Sequence, residues 1–236
     1  MGTNMKYVSV LGSTGSVGIN SLLVISSLSE KFKIYGLSCN KNISLLQKQI
    51  ISYKPKFAVI TDKKTYDNFI KKNGDKFHDT HIIFGNEGLE LISSNDKVST
   101  IVVAIVGFSC INPVISAIKS NKTILIANKE ILVSAGDIII SILNKSNATI
   151  LPIDSEHNAL LQVILSSGLQ YKINDKEYYK NKIKKLILTA SGGPFYNYKI
   201  KDLKNISPSE AIQHPTWNMG KKISVDSATM MNKGLE

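Results

Sequence analysis

The chain has 236 residues, a hydrophobic fraction of 43% and a formal net charge of +11, which suits a globular protein of one large domain or one and a half ordinary ones. No apolar run reaches the roughly 18 residues that a membrane-spanning helix needs, so we expect no membrane association. Every basic residue is a lysine, whereas base readout and planar phosphate recognition favour arginine, so we predict a solvated lysine-rich surface and no nucleic-acid partner.

Strands and helices alternate over the first part of the chain. Strands are predicted at residues 6–11, 32–38, 57–61, 81–84, 99–106 and 123–127, and helices at 19–28, 43–51 and 113–120, with a polar helical stretch that ends near residue 72. This alternation is typical of an α/β fold and predicts a Rossmann-like, doubly wound parallel sheet. Cys39 and Cys110 each end an apolar run, so we expect reduced core thiols.

The pattern changes at residue 149, where we place the start of a second, α+β domain. Strands are predicted at 149–153, 186–190 and 222–225, helices at 156–165 and after a Ser207 cap, and an exposed excursion at 170–185. A last helix capped by Asp226 has no stop signal before Glu236, so we expect a truncated chain. The predicted domains cover residues 1–148 and 149–236.

Three glycines, Gly12, Gly15 and Gly18, lie between the first strand and the first helix. Glycines in this place let the backbone approach a pyrophosphate, which the helix N-terminus favours, so the first domain is predicted to bind a dinucleotide. The spacing differs from GxGxxG, and an ordinary βα turn is the alternative. Lys41 and its neighbouring amides stand where an NAD site has a carboxylate, which favours NADP; a surface lysine is the alternative.

Candidate ligand-binding residues follow in the second domain. Asp154 and Glu156 are two residues apart, so on an extended segment both carboxylates face one side and suit Mg²⁺ or Mn²⁺; a solvated strand end is the alternative. The turn that begins at Ser191 has hydroxyl and backbone N–H groups for an oxyanion. Residues 214–220 carry the only tryptophan, Trp217, which fits a lid over a ligand or an anchor to the core.

The last helix is predicted to have a polar face. Asn232 is four residues and Lys233 three residues before Glu236, so all three share one side of a helix. Ser227 is predicted in the first turn, where phosphate binds well. This face suits contact with a substrate and a metal, or with solvent.

In chain order, six segments resemble the 1-deoxy-D-xylulose 5-phosphate reductoisomerase family of the methylerythritol phosphate route to isoprenoids. The segments are Gly12-Ser-Thr-Gly-Ser-Val-Gly18, Ala127-Asn-Lys-Glu130, Pro152-Ile-Asp-Ser-Glu-His157, Ser191-Gly-Gly-Pro-Phe195, His214-Pro-Thr-Trp217 and Ser224-Val-Asp-Ser-Ala-Thr-Met-Met-Asn-Lys-Gly-Leu-Glu236. The likeness spans the whole chain, although family members are longer and add a C-terminal helical domain. Val17 replaces a frequent isoleucine, and the 170–185 segment is long for the family.

The resemblance implies an oxidoreductase that uses NADPH and Mg²⁺ or Mn²⁺ to isomerise and reduce 1-deoxy-D-xylulose 5-phosphate to 2-C-methyl-D-erythritol 4-phosphate. It also implies a homodimer. The sequence starts almost at its first strand, which favours a bacterial cytosol, or a plastid-type organelle if a transit peptide has been removed. The implied metal ligands are Asp154, Glu156 and Glu236, and the implied catalytic set adds Lys129 and His214. The implied NADPH contacts are Thr14, Gly15, Ser16, Val17, Lys41, Asn42, Asn128 and Glu130. The implied substrate contacts are Lys129, Ser155, Glu156, Ser191, His214, Trp217, Ser227, Asn232, Lys233 and Glu236, with Met219 in the lid.

Two other functions remain open from the residues alone. One is a different NADP oxidoreductase of small phosphorylated or acidic compounds, such as an aspartate-semialdehyde or homoserine dehydrogenase type. The semialdehyde type needs a catalytic cysteine in the second domain, and no cysteine follows Cys110. The other is a non-enzymatic NADP-binding regulator, which would have no use for converging carboxylates.

Overall fold

A computed structural model describes residues 5–73, 76–173, 175–217 and 219–236, without the side chain of Lys176. The chain separates into two compact units, of which the first ends at Asp154 and the second runs from Ser155 to Glu236. Among the described residues, no helix combines the length and the apolar character needed to cross a membrane.

The first unit is built on a parallel sheet whose strand order is β4-β3-β2-β1-β5-β6-β7. The strands are β1 (Lys6–Leu11), β2 (Phe32–Cys39), β3 (Phe57–Ile60), β4 (His81–Phe84), β5 (Val98–Val103), β6 (Thr123–Ile126) and β7 (Thr149–Pro152). The strand order changes direction between β1 and β5. Doubly wound sheets bind their ligands at such a point. The predicted α/β fold with a doubly wound parallel sheet is therefore confirmed.

Helices connect successive strands of this sheet. They are α1 (Ser16–Ser27), α2 (Ile43–Tyr53), α3 (Lys63–Asn73), α4 (Gly85–Ser94), α5 (Ile111–Lys119) and α6 (Glu130–Leu143). The central strands are nearly continuous apolar runs because helices cover both faces of a parallel sheet. Val10 of β1 pairs with Leu37 of β2 on one side and with Val102 of β5 on the other, and all three side chains are buried.

The strand predicted to open the second domain is the edge of the first sheet. Ile150 and Leu151 of β7 pair with Ile124 and Leu125 of β6. This pairing satisfies the backbone polar groups of β7, which a strand cannot do alone. The unit boundary accordingly follows Asp154, whereas the sequence places it after residue 148.

The second unit consists of short helices joined by irregular segments. They are α7 (Ser155–Ser166), α8 (Lys176–Lys180), a 3₁₀ helix (Ile200–Asn205), α9 (Pro208–Ala211), α10 (Lys221–Ala228) and α11 (Met231–Leu235). The Ser207 cap of α9 is confirmed, because Ser207 and Glu210 form a capping box.

Two strand predictions in this unit are wrong for the residues that the structure describes. Residues 186–190 have no regular structure, because an apolar run becomes a strand only beside a partner that pairs with its backbone. Residues 222–225 lie inside α10, where the Ser224 hydroxyl donates to the Gly220 carbonyl at 3.2 Å. Short alternating runs of this kind fit a helix as well as a strand.

The final segment is two helices, not one. Met230 has a φ of +60° and separates α10 from α11. Asp226 does not cap a helix, since it lies within α10 and pairs with Lys222 one turn earlier at 2.6 Å. Ser227 consequently stands at the C-terminal end of α10, and the prediction that it lies in a first helical turn is wrong.

The predicted excursion at 170–185 is a loop closed upon itself. The backbone N–H of Gln170 donates to the Tyr178 hydroxyl at 3.0 Å, and the Tyr179 hydroxyl donates to the Gln170 carbonyl at 2.9 Å. Lys182 lies 3.5 Å from the centre of the Tyr178 ring. The two hydrogen bonds join residues of the segment that are eight or nine positions apart.

Candidate functional site

The glycine-rich turn follows β1 at the point where strand order reverses. Gly12 has a φ of +82°, and a Cβ atom there would lie 2.7 Å from the Ala104 carbonyl oxygen. A Cβ at Gly18 would overlap the Gly12 carbonyl oxygen and lie 2.6 Å from the Ser13 Cα. Backbone packing of this closeness accepts only glycine at both positions.

Residues 14–17, among the predicted NADPH contacts, form the outer part of this turn and the first residues of α1. Gly15 is the N-cap of α1, and both Gly15 and Ser16 are exposed. A glycine N-cap has no side chain to occupy the first helical N–H groups, so they stay available to an anion.

The loop after β2 carries the residues predicted to select NADP. Lys41 and Asn42 are exposed, and Asn42 caps α2 by accepting from the Leu45 N–H at 3.3 Å. Because the amide oxygen is used by the cap, the NH₂ group is the part of Asn42 that suits a 2′-phosphate. The Asp62 carboxylate lies near enough to Lys41 to interact with its charge. Hydrogen bonds from Thr65, and to a smaller extent the charge of Lys41, lower the pKa of Asp62.

Asn128, another predicted cofactor contact, is buried beneath the neighbouring loop. Its NH₂ group donates to the carbonyl oxygens of Ile105 and Gly107 at 2.5 and 2.7 Å. Its oxygen accepts from the Ile131 N–H at 3.2 Å. The side chain therefore fixes the loop after β5 to the start of α6, whose first residue is the half-buried Glu130.

Lys129 and Asp154 form an ion pair in the first unit. Their charged atoms are 3.1 Å apart, and the side chains are 8% and 15% exposed. Lys129 contacts Asp154 Oδ2, while Asp154 Oδ1 is buried and has no hydrogen-bond partner among the described residues. A buried carboxylate oxygen without a donor is costly unless a cation approaches it. The pair has no sequence signal, because its members are 25 residues apart.

Two further carboxylates meet in the second unit. Glu156 lies in the first turn of α7, which confirms the helix predicted from this residue, whereas the extended spacing assumed for the pair with Asp154 is wrong. The Lys233 ammonium pairs with both Glu156 and Glu236 at 2.5 Å, and carboxylate oxygens of the two glutamates lie within 4.8 Å of each other. Asn232 donates at 2.7 Å to Glu236, whose side chain is fully buried. Asn232 and Lys233 of α11 thus lie on the same side as Glu236, which follows the helix, as their spacing predicts.

A chain of hydrogen bonds joins Ser227, Ser191 and His214. The two serine hydroxyls are 3.1 Å apart, and His214 Nε2 lies 3.0 Å from the Ser191 hydroxyl. His214 Nδ1 accepts from the backbone N–H groups of Thr216 and Trp217, both at 3.2 Å. Since Nδ1 is an acceptor, the proton of the neutral ring is on Nε2, which donates to Ser191. Motif spacing could not indicate this tautomer.

Ser191 and Ser227 line a small cleft within the second unit. Its lining residues are Glu156, Ala190, Ser191, Gly192, Ser227, Met230, Asn232 and Lys233. Serine hydroxyls and the Asn232 amide supply donors, Lys233 supplies positive charge, and Glu156 supplies a carboxylate. These groups are of the kinds that bind an anionic group and the hydroxyl oxygens of a ligand.

Trp217 stands beside this cleft on the His214 loop. It is 57% exposed and stacks on the His214 ring at a centroid distance of 5.1 Å. A tryptophan this exposed does not anchor the loop to a core, which favours the lid interpretation. Met219 is half-buried, and Asn218 lies outside the described residues. Ser155, the first residue of α7, is exposed.

Both cysteines are buried core residues, as predicted. Burial raises the pKa of the Cys39 thiol and of the Cys110 thiol to about 12. A thiol with a raised pKa is neutral at physiological pH, and the neutral form is neither a nucleophile nor a good metal ligand. Neither cysteine therefore suits a catalytic role.

Native protein at pH 8 is expected to resist alkylation by iodoacetamide at Cys39 and Cys110. Both groups are uncharged at that pH and closed to reagent, so modification requires unfolding. Intact mass measurement should show two added groups in urea and none without it. Fast labelling of either cysteine in the native protein would contradict this expectation.

Known proteins match both units of the chain. The family model described as 1-deoxy-D-xylulose 5-phosphate reductoisomerase matches residues 8–136, and that of its C-terminal domain matches residues 150–236. The 1-deoxy-D-xylulose 5-phosphate reductoisomerase of Buchnera aphidicola subsp. Acyrthosiphon pisum is 44% identical over 232 residues, which cover 98% of this chain and 58% of the relative. That of Wigglesworthia glossinidia brevipalpis is 47% identical over 236 residues with the same coverage.

A solved structure has the same fold. The crystal structure of DOX-P reductoisomerase in complex with NADPH, fosmidomycin and magnesium superposes with a TM-score of 0.87 at 41% identity, covering 98% of this chain and 56% of that one. The chain therefore spans somewhat more than half the length of the proteins that it matches.

Proposed function

The chain belongs to the 1-deoxy-D-xylulose 5-phosphate reductoisomerase family, and we propose on this basis that it carries out the family's reaction. The reaction is the NADPH- and divalent-metal-dependent isomerisation and reduction of 1-deoxy-D-xylulose 5-phosphate to 2-C-methyl-D-erythritol 4-phosphate, in isoprenoid biosynthesis. The observation that carries the proposal is the cleft of the second unit, where anion donors and a carboxylate line one space.

The proposed metal ligands are Asp154, Glu156 and Glu236. The residues fit a divalent cation in two respects: Asp154 Oδ1 is buried without a donor among the described residues, and Glu156 and Glu236 bring carboxylate oxygens close together. Carboxylate oxygens are hard ligands, which suit Mg²⁺ or Mn²⁺ better than softer ions.

The proposed NADPH site lies along the carboxyl ends of β1 and β2. The residues fit a dinucleotide, since Gly12 and Gly18 leave no room for a Cβ and α1 has a glycine N-cap. The contacts that we propose are those of residues 14–17, Lys41, Asn42, Asn128 and Glu130. Lys41 would attract the 2′-phosphate that distinguishes NADPH from NADH.

Bound metal would polarise substrate oxygens as a Lewis acid, and bound NADPH would supply hydride. The protein's own side chains would hold the substrate. Ser191, Ser227, Asn232 and Lys233 would donate to its phosphate, and the proton on His214 Nε2 would add a donor. The Ser191, Ser227 and His214 side chains are already fixed by mutual hydrogen bonds, which reduces the entropy lost on binding.

The remaining proposed roles concern the reacting end of the substrate. Lys129, held by Asp154, and the exposed Ser155 would bind its hydroxyl groups. Trp217 and Met219 would cover the bound substrate and exclude water.

We also propose a homodimer located in the cytoplasm of a bacterium, or in a plastid-type organelle after removal of a transit peptide. The homodimer follows from family membership alone. Analytical ultracentrifugation tests the oligomeric state, because the molar mass that it measures for a monomer is half that of a dimer.

The proposed reaction is tested by following NADPH oxidation with 1-deoxy-D-xylulose 5-phosphate, using the complete gene product. Oxidation is expected to require both the substrate and Mg²⁺ and to stop on addition of a chelator or fosmidomycin. Binding of NADPH without any turnover would favour the regulator over the enzyme. Turnover that is indifferent to the chelator would contradict the metal site.

A further inference from the structure

A buried glutamine contacts the glycine-rich turn from α2. Gln49 is 5% exposed, and both ends of its amide bond to one residue, Ser13. Gln49 Nε2 donates to the Ser13 carbonyl at 2.8 Å, and Gln49 Oε1 accepts from the Ser13 hydroxyl at 2.7 Å. A buried amide is tolerated in an apolar core only when such bonds are made.

The end of β2 holds the same turn from a second side. Gly12 N–H donates to the Ser38 hydroxyl, and Ser13 N–H donates to the Ser38 carbonyl, both at 2.8 Å. Ser13 and Ser38 are fully buried. The first two residues of the turn are thus fixed to β2 and to α2.

The bond from Gln49 to the Ser13 carbonyl sets the direction of the next peptide group. A trans peptide points its C=O and N–H in opposite directions, and the described residues contain no cis peptide. Anchoring the Ser13 carbonyl toward α2 therefore aims the Thr14 N–H away from α2. Thr14 is followed by the exposed Gly15 and Ser16, so this N–H is aimed toward the open part of the turn.

We propose that Gln49 is a positioning residue for the dinucleotide pyrophosphate, which acts by fixing the Ser13–Thr14 peptide. The inference rests on the proposed NADPH site. Helix α2 would then contribute to both the pyrophosphate site and the 2′-phosphate site of the cofactor. Gln49 lies on α2 behind the glycine-rich turn, and Asn42 caps the start of α2 beside Lys41. No glycine or charge pattern indicates such a residue, since Gln49 is 36 residues from Ser13.

Replacing Gln49 with Met tests the proposal, because it keeps the length of the side chain and removes both bonds to Ser13. NADPH affinity, measured by fluorescence titration of the complete gene product, is expected to fall at least about tenfold. The affinity for Mn²⁺ is expected to stay unchanged, since the proposed metal ligands lie elsewhere.

Thr80→Val is the matched control. Thr80 is buried in the same unit and donates its hydroxyl to the Pro55 carbonyl at 2.7 Å, ahead of β3 and β4. We expect this variant to lose stability in urea and to keep NADPH affinity. If Gln49→Met does not fold, the double variant with Ser13→Ala replaces it, because it leaves fewer buried polar groups without a partner.

Two results would overturn the inference: unchanged NADPH affinity in the folded Gln49 variant, or an equal loss of affinity in Thr80→Val. The first would leave Gln49 a purely structural residue, and the second would assign the effect to general destabilisation. A wild-type protein that does not bind NADPH would instead refute the proposed cofactor site, and with it this inference.

Discussion

Replacing Asp154 with Asn is expected to lower turnover about a thousandfold. The change removes one negative charge from the proposed metal site and weakens the polarisation of substrate oxygens, an effect of about 4 kcal/mol in the transition state. The metal concentration for half-maximal turnover should rise at least about tenfold. Steady-state rates across a Mg²⁺ series, together with Mn²⁺ binding followed by paramagnetic resonance, measure both effects.

The stability cost of this change should be modest. Lys129 keeps an acceptor in the neutral amide oxygen of the new side chain, so the free energy of unfolding should fall by about 1–3 kcal/mol. Asp67→Asn is the control, because Asp67 forms an exposed ion pair with Lys63 at 2.7 Å on α3. We expect full turnover in that control. Wild-type metal dependence in the Asp154 variant would remove this carboxylate from the metal site.

The first unit could be predicted well because its signals are local. The apolar run at residues 99–106 is typical of a strand buried on both faces, although β5 ends at Val103, and the glycine spacing marks the turn after β1. Helix α4 has weaker signals, since Leu89 and Ile92 are its main buried side chains. Its position comes from close packing, because a Cβ at Gly88 would lie 2.8 Å from the Ile83 side chain.

The second unit could be predicted less well because its segments depend on their neighbours. Residues 186–190 form a short apolar run and residues 222–225 alternate, as strands do, yet the first segment is irregular and the second helical. Patterns over four or five residues fit more than one state, and the choice is made by whatever partner pairs with the backbone. The Ser207 capping box needs no distant partner, and its prediction is confirmed.

The candidate site, too, could be predicted only in part from the sequence. Motifs indicate which residue types bind metal, phosphate or dinucleotide, but not which side chains meet. The pairs Lys233 with Glu156 and Gln49 with Ser13 join residues 77 and 36 positions apart, and only the fold brings them together. Likewise, the proton position on His214 follows from two backbone N–H groups that no motif contains.

Replacing Gly18 with Ala is expected to weaken NADPH binding about a hundredfold, which corresponds to roughly 3 kcal/mol. The new methyl group would overlap the Gly12 carbonyl oxygen and lie 2.6 Å from the Ser13 Cα. These are backbone atoms that cannot rotate away, so the start of α1 must move from the turn and open the proposed pyrophosphate site. Overpacking of this kind also destabilises a fold by about 1–3 kcal/mol. Fluorescence titration with NADPH and urea unfolding measure the two effects.

Gly136→Ala separates the loss of the site from the general effect of a glycine substitution. Gly136 lies inside α6, and a Cβ there would meet no atom within 4 Å. Alanine favours a helix over glycine, so this control should keep NADPH affinity and gain up to about 1 kcal/mol in stability. Equal NADPH affinity in the Gly18 and Gly136 variants would mean that the close approach of α1 to the turn is not needed for cofactor binding. Loss in the Gly18 variant alone would assign the pyrophosphate contact to this turn, because both variants add the same methyl group to the same unit.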